Sequence, residues 1–217
     1  MNNTRILTLL IVAFCFGSSS AQAQWTGISV EIGESSSDLE FEIEQRAMRV
    51  DSLSLRIEEK TATDLRVGLR IGLTSIRSAN ILPPDNAQKF EGNQLGFYLR
   101  LPLQLGEYFS LEGLYSYRYN TATDSNVSSP GEIEWHDNRL KIGLGTKLQT
   151  LRLTAFVSYR SMSGDISNDT SVELFDSIDK ISRGISFDYF IEPTAYIRLQ
   201  ISRGGEDSAY LNFVRVY

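Results

Sequence analysis

The chain has 217 residues, and its 27 acidic residues outnumber its 21 basic residues, which gives a formal net charge of −6 at pH 7. This acidic balance argues against nucleic acid as a partner, because nucleic acid is bound mainly through basic contacts to phosphate. One cysteine, Cys15, and one histidine, His136, are too few ligands for a typical zinc site. The sequence therefore predicts no cofactor and no metal.

Residues 1–23 have the three-part layout of a secretory signal peptide. A basic start, MNNTR, is followed by the apolar run ILTLLIVAFCF and by GSSSAQA, which ends in small residues at Ala21 and Ala23. The apolar run is too short to cross a bilayer as a helix, which takes about 20 residues. We expect cleavage before Gln24, which leaves 24–217 as a single, cysteine-free β-barrel domain.

From Ile28 onward the chain alternates apolar and polar residues with period two, which is typical of β-strands. The segments LRVGLRIGL and QLGFYLRLPLQL show this most clearly. The pattern predicts an all-β, antiparallel up-and-down barrel of ten strands, or of eight if the first segment is only a terminal extension. Both counts are even, as in bacterial single-chain barrels. The ten strands are predicted at roughly 25–33, 39–57, 64–77, 93–105, 108–121, 132–148, 151–162, 181–192, 195–203 and 207–217.

The connections between these strands alternate between short and long. Long, polar loops are predicted at 78–92, 122–131 and 163–180, whereas the connections GE and QT are short. This alternation is typical of the extracellular loops and periplasmic turns of membrane barrels. The first and last hairpins, ESSSD and GGED, are predicted to be short connections on the extracellular side.

Alternation alone does not decide which face points inward. A soluble barrel buries its apolar face, whereas a membrane barrel turns that face toward lipid. The leucine-rich faces favour the membrane, because they are as long as the roughly 9–11 residues that a strand needs to cross a bilayer. Aromatic residues near the strand ends also predict interfacial girdles. These are Trp25, Tyr108, Phe109, Phe190, Tyr196 and Tyr217 at one rim and Tyr117, Tyr119, Trp135 and Tyr159 at the other.

The last strand, DSAYLNFVRVY, ends on an aromatic residue. Leu211, Phe213 and Tyr217 share one parity, while Arg215 stands where an apolar residue is usual. Together with the signal peptide, this strand makes the chain resemble the small bacterial outer-membrane β-barrels (OmpA/OmpX-like), without matching a particular member. The resemblance implies that Leu211, Phe213 and Tyr217 form an assembly signal for the barrel-assembly machinery. It also implies a monomer in the cell outer membrane, in contact with its lipid and lipopolysaccharide.

With the apolar faces outward, the polar faces line the lumen. The predicted lumenal polar network is Arg66, Arg70, Arg100, Glu112, Arg118, Lys141, Arg152 and Arg198, joined by Arg56, Arg139 and Arg160 and by Glu31, Glu40, Glu42 and Glu44. Buried charges must be paired, which favours a lumen plugged by arginine–carboxylate pairs. The alternative is a narrow, arginine-lined path that favours anions.

The sequence favours a non-enzymatic barrel with a structural role, or one that binds surface partners through the three long loops. A small anion-favouring pore and a barrel enzyme acting on outer-membrane lipid are the alternatives. Catalysis would require His136 with Ser161 or Ser163 as nucleophile. We assign no catalytic residue, because His136 and Asp137 are adjacent in a strand and therefore point to opposite faces.

Overall fold

The computed structural model describes residues 25–42, 44–61, 64–77, 89–124, 131–167 and 171–217. They form one 11-stranded antiparallel sheet. The strands are β1 (Trp25–Phe41), β2 (Gln45–Lys60), β3 (Arg66–Arg77), β4 (Lys89–Leu105), β5 (Phe109–Thr123), β6 (Glu132–Leu148), β7 (Leu151–Ser167), β8 (Val172–Ser177), β9 (Ile181–Glu192), β10 (Ala195–Gly204) and β11 (Asp207–Val216). The predicted signal peptide lies outside the described residues. Among those residues, no helix is long and apolar enough to cross a membrane.

Ten of the strands close into a barrel. β1 to β7 follow one another around the ring, β9, β10 and β11 complete it, and β11 pairs with β1 from Gly27↔Val216 to Ser36↔Asp207. Closure gives each strand of the ring a hydrogen-bonding partner on both sides. The prediction of ten antiparallel strands is confirmed over the eight-stranded alternative.

The remaining strand, β8, lies inside the predicted loop 163–180 and was not expected from the sequence. It pairs with the end of β7 (163–167) and with the end of β1 (39–41). Because β9, β10 and β11 end at a lower level, β8 takes their place in the wall. The barrel is therefore ten-stranded in one part and eight-stranded, from β1 to β8, above it.

We call these parts the ten-stranded zone and the eight-stranded extension. The extension comprises residues 37–41, 45–51, 74–77, 89–93, 120–123, 132–136, 161–167 and 172–177. "Above" denotes the direction toward the extension.

The outward side chains of the ten-stranded zone are apolar. Leu69, Ile71 and Leu73 on β3 and Leu140 and Ile142 on β6 are all 48–59% exposed. Leucine and isoleucine tolerate this exposure when their environment is lipid, and such an apolar band defines a transmembrane barrel. The structure thus has the architecture of a small outer-membrane β-barrel, as predicted.

The extension has the opposite arrangement. Along β1, outward Ile32 is followed by outward, exposed Asp38, while inward Glu31 is followed by inward, buried Leu39. The strand keeps its pleat, but the chemistry of its two faces is exchanged. The extension consequently encloses an apolar core, against which the partly buried Val50 packs. The core consists of Leu39, Phe41, Met48, Ile76, Phe90, Ala122, Ile133, Trp135, Met162, Ile166 and Phe175.

The predicted position of the first hairpin is wrong. β1 continues through ESSSD to Phe41, and β2 begins at Gln45. Serine is poor in many strands, but here the serines alternate between the wall's two faces, as strand residues do. The predicted lumenal positions of Glu40, Glu42 and Glu44 are wrong for the same reason, because all three are exposed.

Among the predicted girdle residues whose side chains the structure describes, Trp135, Phe190 and Tyr196 point inward. Trp135 is buried in the core of the extension, and Tyr196 is buried in the lumen, where it packs against Phe190 with ring centroids 5.1 Å apart. The reason is strand parity, since Trp135 lies two residues from inward Asp137.

The long loops are shorter than predicted, because strand pairing continues into them. Residues 89–92 belong to β4, 122–123 to β5 and 163–167 to β7. Their outward residues are polar, so the leucine-rich pattern used to recognise strands ends before the strands do. The parts of the loops at 78–88, 125–130 and 168–170 lie outside the described residues.

Candidate functional site

The upper lumen, next to the extension, holds two buried carboxylates among three arginines. Arg160 donates from Nε to Oδ2 of Asp137 at 3.0 Å, and Arg118 pairs with the same carboxylate. Arg139 donates to Oε1 of Glu206 at 2.7 Å, and Arg160 lies 3.2 Å from this oxygen. Each carboxylate is therefore shared by two cations, which offsets the cost of burying its charge.

Glu206 reaches the lumen from the tip of the β10–β11 hairpin. Gly204 has a positive φ of 121°, which a side chain would strain, and a Cβ at Gly205 would lie 2.3 Å from the carbonyl oxygen of Asp179. The Glu206 amide donates to Oγ of Ser182 at 2.9 Å. The tip thus tucks beneath the junction of β8 and β9, and this position directs the Glu206 carboxylate inward.

The centre of the lumen is organised around Glu31. Arg56 and Arg70 donate to its two carboxylate oxygens at 2.9 and 2.6 Å. The Arg56 guanidinium also lies 4.9 Å from the centre of the Tyr98 ring, within cation–π range. Gly68 makes room for this ring, because a Cβ there would lie 2.1 Å from its Cζ.

The lower lumen contains two further shared carboxylates. Asp188 accepts hydrogen bonds from Nε of Arg152 at 2.8 Å and from Nε of Arg198 at 2.7 Å. Arg100 donates from Nε and Nη2 to one oxygen of Glu112, at 2.9 and 2.5 Å. These arginine forks fix the positions of β4, β5, β7, β9 and β10 relative to one another.

Lys141 is the one buried lysine of this network among the described residues. Its ammonium donates to Oε1 of Gln200 at 3.0 Å and lies 3.8 Å from the nearest oxygen of Glu112. Arg66 has a closer acidic partner, Glu58, at 2.8 Å. Lys141 therefore has weaker charge compensation than its arginine neighbours.

The structure places all of the predicted network on the inward faces of the strands, namely Arg66, Arg70, Arg100, Glu112, Arg118, Lys141, Arg152 and Arg198. Sequence reasoning missed four of the acidic partners: Glu58, Asp137, Asp188 and Glu206. Strand parity could have found the first three, since Asp137 shares the parity of Arg139 and Lys141 on β6. Glu206 follows a turn, where parity gives no guidance.

The described side chains leave two spaces in the lumen. A cavity of about 70 Å³ is lined by residues of the upper, central and lower lumen, such as Arg139, Arg56 and Arg198. A vestibule of about 270 Å³ lies at the end away from the extension, lined by Lys60, Asp64, Arg66, Glu112 and Arg152 among others. A hydrogen bond and the charge of Lys60 lower the pKa of Asp64 at this mouth, so the vestibule carries charges of both signs at neutral pH.

The apolar core of the extension covers the other end. Leu39, Phe90, Ile133 and Met162 are 0% exposed, and Trp135 is 2% exposed. Side chains that exclude solvent to this degree leave no room for a water column between them. Within the described residues, the lumen is thus polar but closed above.

His136 lies on the outer wall of the extension. Its Nδ1 is 2.6 Å from the hydroxyl of Tyr117, and their rings stack with centroids 5.8 Å apart. Ser163 faces it across the β6–β7 pair, whereas Asp137 is buried inward. This geometry joins His136 to an interfacial aromatic cluster and separates it from the buried acid.

The residues of the predicted assembly signal lie on the outer face of β11. Leu211, Phe213 and Tyr217 are exposed, and the Arg215 guanidinium lies 5.7 Å from the Tyr217 ring centre. This contact lets the arginine stay close to the membrane surface with its charge directed toward water. Recognition of these residues by the assembly machinery stays a prediction.

No protein-family model and no curated protein matches the chain. Among solved structures, the translocator domain of the autotransporter NalP from Neisseria meningitidis is similar over 99% of this chain and 96% of its own, with a TM-score of 0.47 and 10% identity. Neisserial surface protein A covers 86% of this chain and 96% of its own (TM-score 0.44, 9% identity). The outer membrane protease OmpT from Escherichia coli covers 91% and 97% (TM-score 0.44, 7% identity). Likenesses this distant transfer no activity to the present chain.

Proposed function

We propose that the protein is a closed, non-enzymatic barrel of the bacterial outer membrane, with a structural role or a surface-binding role through its extension and loops. The observation that carries this proposal is the apolar core of the extension, which lies above an ion-paired lumen. Conduction needs a continuous polar path through the barrel. A hydrated ion entering this lumen would have to cross Trp135, Phe90 and Met162, all of which exclude water.

The outer surface of the extension supports contact with lipid headgroups such as those of lipopolysaccharide. Just above the apolar band, the four strands β1 to β4 carry three outward ion pairs: Arg49–Glu34, Arg77–Asp51 and Lys89–Glu91. The hydrogen bond and charge of Lys89 lower the pKa of Glu91, so this pair stays ionised. Charges at this level match the polar headgroup layer, where a charged side chain costs about 0–1 kcal/mol.

The extension also supports a binding role for the loops. It is an eight-stranded wall, and the parts of the predicted loops outside the described residues, at 78–88, 125–130 and 168–170, connect its strands. Loops held on such a scaffold commonly carry binding residues. We expect the barrel to act as a monomer, since its ring leaves no unpaired strand in the described residues.

Planar-bilayer conductance tests the closed state. We expect no steady channel from the wild-type barrel and none from Arg198→Ala, which alters only the lower lumen. The double variant Phe90→Ser, Trp135→Ser hollows the extension core and should show conducting events. A steady, anion-selective conductance of the wild type would overturn the closed barrel in favour of a pore.

Lipid analysis tests the absence of catalysis. His136 is held by Tyr117 on the outer wall, and we expect lipid A from cells that produce the wild type or His136→Ala to have identical mass spectra. A mass change that requires His136 would show that the barrel modifies lipid.

A further inference from the structure

We propose that the lumen contains a binding site for one small inorganic oxyanion of the phosphate or sulfate class, centred on the cavity beside Lys141. This inference goes beyond the structural or surface-binding role, because the site faces the enclosed lumen and not the cell surface.

The first argument is the charge of the lumen. Among the described residues, ten basic side chains face the lumen of the ten-stranded zone, and they are Arg56, Arg66, Arg70, Arg100, Arg118, Arg139, Lys141, Arg152, Arg160 and Arg198. Six acidic side chains accompany them: Glu31, Glu58, Glu112, Asp137, Asp188 and Glu206. Uncompensated buried charge is costly, so an excess of four cations favours a bound anion, and one divalent oxyanion would offset two of the four charges.

The second argument is a set of free donors around one cavity. Nε of Arg56 and Nε of Arg139 are buried and have no hydrogen-bond partner among the described residues. Lys141 has three N–H donors, and Gln200 accepts one of them at 3.0 Å. All three cations line the same cavity. Donors that are buried without a partner cost free energy, and an anion between them would satisfy them together.

The third argument is size and access. The cavity measures about 70 Å³ as space for the centres of water molecules, and one water needs about 10–15 Å³ by the same measure, so a tetrahedral oxyanion about as large as two waters has room there. Glu112 lines both this cavity and the lower vestibule, so the two spaces are neighbours, while the extension core closes the opposite end. The vestibule is therefore the nearer opening to the site for an oxyanion. Several fixed donors favour an oxyanion over a halide, because guanidinium groups match its separated oxygens.

The test uses the full-length barrel, refolded in zwitterionic detergent at constant ionic strength. Its unfolding midpoint is measured against increasing sodium phosphate, sodium sulfate or sodium chloride, with bulky gluconate as the balancing anion. We expect phosphate or sulfate at millimolar concentrations to raise the unfolding midpoint. The increase should grow with the logarithm of the anion concentration above Kd. Equilibrium dialysis with radiolabelled sulfate should give one ion per chain.

Lys141→Met is the decisive variant, because it removes one positive charge and keeps the unbranched side chain. It should weaken oxyanion binding at least tenfold while matching or exceeding wild-type stability in gluconate. Lys180→Met, outside the lumen, is the matched control and should bind as the wild type does. If Lys141→Met does not fold, Gln200→Glu supplies an internal counterion beside Lys141 and should abolish the dependence on oxyanions.

Equal effects of sulfate and gluconate, or unchanged binding in both lumenal variants, would overturn the site. A saturable effect of chloride equal to that of sulfate would overturn its assignment to oxyanions. The conductance of the barrel is a separate readout, so failure of this site leaves the closed barrel standing and failure of the closed barrel leaves this site standing.

Discussion

The ten-stranded zone and the eight-stranded extension share strands β1 to β7 but have opposite cross-sections. On β7, Arg160 and Met162 both point inward, so the inner face changes from charged to apolar within two residues. Tyr159 and Ser161 both point outward, so the outer face changes from aromatic to polar over the same distance. The pleat fixes which side chains face inward. The surrounding solvent, lipid below and water above, fixes which of them are apolar. A single strand can therefore belong to two kinds of barrel.

The two parts also differ in what stabilises them. In the extension, burial of apolar side chains from water contributes about 1.5–3 kcal/mol for each large residue such as Trp135 or Phe90. In the ten-stranded zone the lumen contains shared ion pairs, and apolar burial contributes little to it. Substitutions of one type should therefore have different effects in the two parts.

The largest effect is expected from a charge placed in the core of the extension. Met162→Lys puts an ammonium at a position with 0% exposure among apolar side chains, and should lower the free energy of unfolding by about 4–5 kcal/mol. Urea unfolding in detergent micelles measures this loss. Ser163→Lys, on the outer face one residue away, is the control and should stay within about 0.5 kcal/mol of the wild type. Equal losses in both variants would mean that the extension has no separate inside.

The next effect concerns the lumen, where removing a charge should destabilise the barrel, because it leaves buried charges without a partner. Asp188→Asn removes the carboxylate that compensates both Arg152 and Arg198, and should cost about 3–5 kcal/mol in the same unfolding assay. Glu192→Gln, exposed at the end of β9, is the matched control and should change little. A stable Asp188→Asn barrel would show that the lumenal arginines are compensated by something other than the protein.

A smaller effect is expected on the outer wall. Ile142→Lys places a charge in the apolar band and should cost about 2–4 kcal/mol if the residue faces the lipid midplane. Thr123→Lys lies on the outer face of the extension, in water, and should be close to neutral. Free energies of folding into phosphatidylcholine vesicles measure both variants. Similar costs for the two would remove the boundary between lipid and water from the wall.

The smallest effect on global stability is expected at β8. Phe175→Ala removes an aromatic ring that packs on Phe41 with centroids 5.5 Å apart. Because β8 is short, it should open on its own, with faster amide exchange in 172–177 and a change of about 1 kcal/mol or less in global unfolding. Leu174→Ala, on the exposed face of the same strand, should leave the exchange unchanged. Protection of β8 that survives Phe175→Ala would mean that this ring does not hold the strand in the wall.

The sequence predicts the ten-stranded zone well, because its outward faces are long leucine-rich sets that alternate with polar residues at period two. Arg66 and Arg70 could be placed in the lumen from their parity alone. The extension escaped prediction because its outward residues, such as Asp38 and Asp165, look like loop residues when apolar faces are expected outside. β8 has only six residues, and its pairing with β1 joins segments that are far apart in sequence. Local patterns do not encode such a contact.

The most direct test of the exchanged faces is an accessibility scan along β7, with single cysteine-attached spin labels at 155–166 in the chain 24–217, which has no cysteine of its own, reconstituted in bilayers. Labels at outward Ala155, Val157 and Tyr159 should be accessible to oxygen dissolved in lipid, and those at Ser161, Ser163 and Asp165 to a water-soluble nickel complex. Labels at inward Met162 and Ile166 should be inaccessible to both reagents. Accessibility of Met162 or Ile166 to the nickel complex, with Ser163 in lipid, would contradict the account.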